Sequence, residues 1–102
     1  MKRDEALAIL SQHQSELAAF GLRRLALFGS VARDEAGPES DVDVLVDFEG
    51  EPTFRRYTGL YDCLESLFHC SVDLVTESSV RPVLRPYIEE DAYDVQKLSS
   101  VS

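Results

Sequence analysis

Asp41-Val42-Asp43-Val44-Leu45-Val46-Asp47-Phe48 reads as a β-strand. It is rich in valine. Over its first half aspartate alternates with apolar residues, the period-two pattern of a strand with one buried and one accessible face. Asp41 and Asp43 then project from the same face, about 6.6 Å apart along the backbone, while Val42 and Val44 fall on the other. Like charges held in this way raise each other's pKa unless a cation neutralises them. Hard oxygen donors with no thiolate beside them suit Mg²⁺ or Mn²⁺. A solvent-facing edge with ordinary surface charges fits the same eight residues, and the strand alone does not separate the two readings.

The neighbouring segments add to this. Upstream, Arg23 to Phe28 (R-R-L-A-L-F) reads as a short strand, and Gly29-Ser30 forces a turn directly after it. Val31 to Ala36 fits one or two helical turns, and Gly37-Pro38-Glu39-Ser40 breaks the chain again. Glycine lets a backbone approach an oxyanion closely, and turn amides with a serine hydroxyl can hold phosphate oxygens. Alone, Gly-Ser is an ordinary turn. Next to a dicarboxylate strand it forms a matched pair, one half for phosphate and the other for the metals that phosphate needs. Downstream, Ser71 to Thr76 (S-V-D-L-V-T) is a third strand with Asp73 among apolar residues. Beside the first it would add a third carboxylate. Such a set can hold two ions, one activating the attacking oxygen and one steadying the leaving pyrophosphate.

The flanks read as helices. Residues 4–20 carry Leu7, Leu10, Leu17 and Phe20 at helical spacing, with Asp4 as a candidate N-cap and Gly21 as a stop. Residues 53–68 give a continuous apolar stripe from Phe54 to Phe68, and Pro52 sits where a first-turn proline is tolerated. Its aromatics are read as core. Pro82 and Pro86 preclude one long helix near 80–91, and an extended end follows at Ala92 to Val95. The order implies an α/β (α+β) fold, a small mixed sheet flanked by helices, in a single domain over residues 1–102.

Net charge is -9, from 19 acidic and 10 basic residues. That argues against direct nucleic-acid binding, which needs basic surface over phosphates. It suits divalent cations and a basic protein partner. No apolar run reaches the roughly 20 residues of a membrane helix, and no apolar segment follows the charged start, so a cytoplasmic protein is expected. Cys63, His69 and Cys70 match no zinc spacing, and the two cysteines are read as buried or half-buried reduced thiols.

Leu27-Phe28-Gly29-Ser30-Val31-Ala32-Arg33, with ten residues between Ser30 and Asp41-Val42-Asp43, resembles the G-S-x10-D-x-D signature of the DNA polymerase β-type nucleotidyltransferases. Within them the chain is similar to the minimal nucleotidyltransferases, also at Val72-Asp73-Leu74-Val75, where those proteins carry a third carboxylate. Asp34 departs from the glycine many relatives place after the arginine. The resemblance spans about residues 23–76. It implies a mixed-sheet fold using ATP and Mg²⁺. Asp41, Asp43 and Asp73 would then be catalytic and metal-binding, with Gly29, Ser30 and Arg33 on the nucleotide. An ordinary surface arginine fits position 33 as well. Small members often act as antitoxins that attach AMP to a tyrosine of a HEPN-domain RNase toxin, which makes such a toxin the expected partner. Two other readings are a small-molecule nucleotidyltransferase and a non-catalytic module that masks a toxin by contact.

Overall fold

The computed structural model describes residues 1–37 and 40–95. Its elements run α1 (Arg3–Gln12), α2 (Gln14–Ala18), β1 (Leu22–Phe28), α3 (Gly29–Ala32), β2 (Val42–Phe48), α4 (Phe54–Phe68), β3 (Val72–Thr76), α5 (Arg85–Asp91) and β4 (Tyr93–Asp94). The four strands form one mixed sheet in the order β3-β2-β1-β4. β1 pairs antiparallel with both β2 and β4, and β2 pairs parallel with β3. Of the predicted break at 37–40, Pro38 and Glu39 lie outside the described residues.

Alternation divides the sheet into two faces. Val42, Val44, Val46 and Phe48 of β2, Leu25 and Leu27 of β1, and Val72 and Leu74 of β3 are buried in one cluster. Ala6, Leu10, Leu17, Leu60, Leu64 and Phe68 from α1, α2 and α4 complete it. Each leucine buried this way contributes about 1.5–3 kcal/mol. The opposite face carries Asp43, Leu45 and Asp47 of β2 with their partners Phe28, Ala26 and Arg24 of β1. Leucines at 22, 25 and 27 break strict alternation. The register shift between Leu22 and Arg24 absorbs the extra residue, so Leu22 still reaches the core.

β3 is an edge strand, and two of its open-side carbonyls are occupied. Ser71 C=O accepts from Val42 N–H, which directs alternate residues of β3 toward β2 and leaves the Leu74 and Thr76 carbonyls on the open side. The Tyr57 hydroxyl donates to Leu74 C=O at 2.6 Å, and the Ser79 hydroxyl to Thr76 C=O at 2.9 Å. An edge partly occupied in this way is a poorer template for another strand.

The N-terminal helix differs from the single one expected over 4–20. His13 Nδ1 donates to Ile9 C=O at 2.9 Å, the acceptor its own N–H would use in a continuous helix. The backbone N–H turns to Leu10 C=O instead, and the helix restarts at Gln14. Asp4 is not the N-cap. Lys2 occupies that position without a side-chain bond, and the cap comes from Asp34, whose carboxylate accepts from Arg3 N–H at 2.7 Å. In α4 the cap is Thr53, which accepts from Arg56 N–H, so Pro52 precedes the helix instead of opening it. The aromatic stripe of α4 is core except at its first residue, because Phe54 is 83% exposed.

Asp34 has φ 59, the left-handed region that glycine enters freely and aspartate tolerates. The departure from glycine is therefore compatible with the turn, and it adds a long-range cap. Replacing Asp34 with alanine removes the cap and keeps the backbone cost, so Asp34→Ala is expected to destabilise the fold by about 1–2 kcal/mol. Asp34→Gly is expected to lose less, and urea denaturation of both variants checks the order.

α5 and β4 are held to β1 by one arginine. Arg24 Nη1 and Nη2 donate to the two Glu89 oxygens at 2.7 and 2.8 Å, and Nε to Asp94 at 2.7 Å. Glu77 pairs with Arg85 at 3.1 Å and lies 3.7 Å from Arg24. The expected helix near 80–91 is confined to Arg85–Asp91, with Pro86 in its first turn, where proline costs no hydrogen bond.

Candidate active site

β2 and β3 set the centre of the site. Their parallel register places Asp43 beside Asp73, with both side chains on the sheet face opposite the helical core. Asp41, two residues before Asp43, lies on the same side by alternation and is exposed. The three sequence-predicted carboxylates thus come together at one end of the sheet. None of them has an ion pair with a basic side chain among the described residues, whereas Asp34, Asp47, Asp91 and Asp94 all do.

Asp43 bears the consequence. Its carboxyl is pushed up from the usual carboxylate range to about 6, first by burial, then by the charges of Asp73 and Asp41 and by the close Asp73 carboxyl. Arg33 acts in the opposite direction. Among the described residues no three His, Cys, Asp or Glu side chains already stand in metal-holding geometry. The fit to a hard divalent cation therefore rests on the donors: oxygen only, without basic partners, and repelling one another at the point where a cation would remove the repulsion.

Gly29 closes the site from β1. It has φ 75, and a Cβ built on it would lie 2.0 Å from Asp43 Oδ2 and 2.8 Å from Asp43 Cγ. Phe28, the residue before it, pairs across the sheet with Asp43. The turn from β1 into α3 is thus pressed against the carboxylate, a contact that only glycine permits. The next residue, Ser30, is half-buried, and its hydroxyl makes no hydrogen bond among the described residues. Gly29 thus adjoins Asp43, which stands beside Asp73, and Ser30 follows directly in the chain.

Arg33 ends α3 and is exposed. Its Nε donates to Glu35 at 2.8 Å and its Nη1 to Asp91 at 2.5 Å. Both carboxylates, Glu35 first, push the guanidinium pKa up. Sequence reasoning had no signal for Asp91, which lies 58 residues away. Tyr57 was also missed: read only as core, it fixes α4 to the strand that carries Asp73. Cys63 is half-buried and Cys70 exposed, both free thiols, so the expectation of burial fails for Cys70, which sits in the turn after α4.

Residues 5–95 match the nucleotidyltransferase domain family. The chain belongs to that family. As a nucleotidyltransferase it is similar to the protein adenylyltransferase MntA of Thermococcus cleftensis, 44% identical over 79 residues, which cover 76% of this chain and 80% of that protein. A solved minimal nucleotidyltransferase, itself of provisional assignment, superposes with a TM-score of 0.74 at 36% identity, covering 91% of this chain and 95% of its own. The complex of tri-AMPylated Shewanella oneidensis HEPN toxin with its MNT antitoxin contains a chain of the same fold, with a TM-score of 0.57 at 20% identity, covering 82% of this chain and 69% of that one. The mixed four-stranded sheet flanked by helices is thus the minimal nucleotidyltransferase fold.

Proposed function

We propose that this nucleotidyltransferase moves AMP from ATP to a tyrosine hydroxyl of a HEPN-domain RNase toxin and so silences it. The observation that carries the reading is the group of three carboxylates without basic partners on one sheet face, closed on one side by a glycine pressed against Asp43. The likeness to the Thermococcus cleftensis protein adenylyltransferase supports AMP as the group transferred, and the fold shared with the Shewanella oneidensis antitoxin complex supports the class of partner.

In this reading Asp41, Asp43 and Asp73 would hold Mg²⁺ or Mn²⁺, which when bound offsets the charge on the triphosphate and on the departing pyrophosphate. The Gly29 turn admits the phosphates close to the backbone, and the Ser30 hydroxyl donates to one of their oxygens. Arg33 supplies a further positive charge. The attacking hydroxyl oxygen forms a bond to the α-phosphorus, the α–β phosphoanhydride bond breaks, and pyrophosphate leaves. Asp73, exposed at the mouth of the site, accepts the hydroxyl proton. The acceptor comes in on another chain, which the net charge of -9 would attract if that chain is basic. ATP as substrate and two free thiols agree with a cytoplasmic setting. No helix among the described residues is long and apolar enough to cross a membrane.

The proton-transfer assignment has its own test. Asp73→Asn keeps the shape of the side chain and removes its basicity. It is expected to lower AMP transfer from labelled ATP by about 10²-fold or more while leaving ATP binding within a few-fold of wild type. Loss of stability with transfer intact would make Asp73 a structural residue.

A further inference from the structure

We propose that Asp91, together with Glu35, is a positioning residue for the nucleotide: it occupies the Arg33 guanidinium at the rim of the site, and a nucleoside triphosphate takes that guanidinium from it. The inference rests on the reading of this site as a triphosphate site.

Arg33 is placed to change partners. Its backbone N–H donates to Gly29 C=O at 3.1 Å, so its side chain leaves the short helix one turn above the glycine that touches Asp43. Its charge is felt at Asp43. Yet its Nε is engaged by Glu35 from the following turn and its Nη1 by Asp91 from the last residue of α5. Two carboxylates on one guanidinium leave a local net charge of about -1 beside three more carboxylates, a poor reception for a polyanion.

The Arg33–Asp91 pair is not needed to dock α5. That helix is already tied to β1 by the two-pronged Arg24–Glu89 contact, and the following strand by Arg24–Asp94. The Arg33 side chain is 44% exposed, and an ion pair open to solvent on that side contributes little to stability, so it can be exchanged. A phosphate offers the same guanidinium two parallel, charge-assisted hydrogen bonds and a larger negative charge. Asp91 thereby sets how much of the Arg33 interaction appears as nucleotide affinity.

The test is a double-mutant cycle read by equilibrium binding of a non-cleavable ATP analogue in the presence of Mg²⁺. Asp91→Asn is expected to tighten the analogue Kd by about threefold, the factor corresponding to one exposed pair. Glu35→Gln is expected to act in the same direction, and Asp91→Glu to keep the wild-type value. In an Arg33→Gln background the gain from Asp91→Asn should vanish. An equal gain with and without Arg33 would mean simple removal of negative charge, and no gain, or weaker binding, would mean a structural pair. Either result overturns the proposal and leaves the transfer reading standing. Failure of the wild-type chain to bind the analogue overturns both.

Discussion

Asp43→Asn is expected to lower nucleotide transfer by about 10³-fold while making the metal-free chain more stable at pH 7. The two effects share one origin. Asp43 is partly buried beside Asp73 and Asp41, and its carboxyl titrates near 6 instead of 3.8. The folded chain therefore holds that proton more tightly than the unfolded chain does. The resulting stability is fully present below about pH 4 and is lost as pH rises through about 6. At pH 7 the wild type carries the strained charge and the asparagine variant does not. The difference in Tm between variant and wild type should be positive at pH 7 and shrink steadily toward pH 4. Added Mg²⁺ should raise the Tm of the wild type and leave the variant nearly unmoved, since a carboxylate donor is gone. A variant that transfers at the wild-type rate would remove Asp43 from the metal set. A flat pH profile would contradict its electrostatic coupling to Asp73.

Gly29→Ala is expected to be nearly as damaging to transfer, for a steric reason. The new methyl would sit 2.0 Å from Asp43 Oδ2, far inside contact distance, on a backbone at φ 75. Either the turn lifts from the sheet or the Asp43 carboxylate swings out of the site. The left-handed backbone adds about 1 kcal/mol of strain for any residue with a Cβ. Transfer should fall by about 10²-fold or more, because displacement of a reacting group by an ångström already costs that much. Denaturation of Gly29→Ala, Asp43→Ala and the pair should be non-additive, with part of the alanine penalty at 29 relieved once the Asp43 carboxylate is absent. Normal transfer by Gly29→Ala would show that the turn does not shape the site.

The local half of this site is legible in the chain. Alternation alone puts Asp41 and Asp43 on one face, and a glycine directly after a strand marks a close backbone approach. The pairing half is not. That Asp73 stands beside Asp43, and not one residue out of register on the opposite face, depends on the parallel register of β2 and β3. The same holds for Asp34 capping α1 and for Asp91 occupying Arg33, since both partners come from distant segments. Where local pattern misled, a side chain had replaced a backbone interaction. The imidazole of His13 broke a helix whose apolar spacing ran straight through it, and Asp34 supplied the cap that Asp4 had been expected to provide. The bulge at the start of β1 is partly written in the 22, 25, 27 leucine spacing, which fits a strand only if one residue is extra.

Transfer to a partner protein is most directly tested by intact-mass spectrometry of the neighbouring gene's product, the proposed HEPN-type toxin, incubated with the chain, ATP and Mg²⁺. The expected result is a gain of about 329 Da for each AMP attached, on a tyrosine, together with loss of RNase activity. The Asp41→Asn, Asp43→Asn double variant should produce neither change. A toxin silenced equally well by that variant, with no gain in mass, would contradict enzymatic transfer and leave masking by contact in its place.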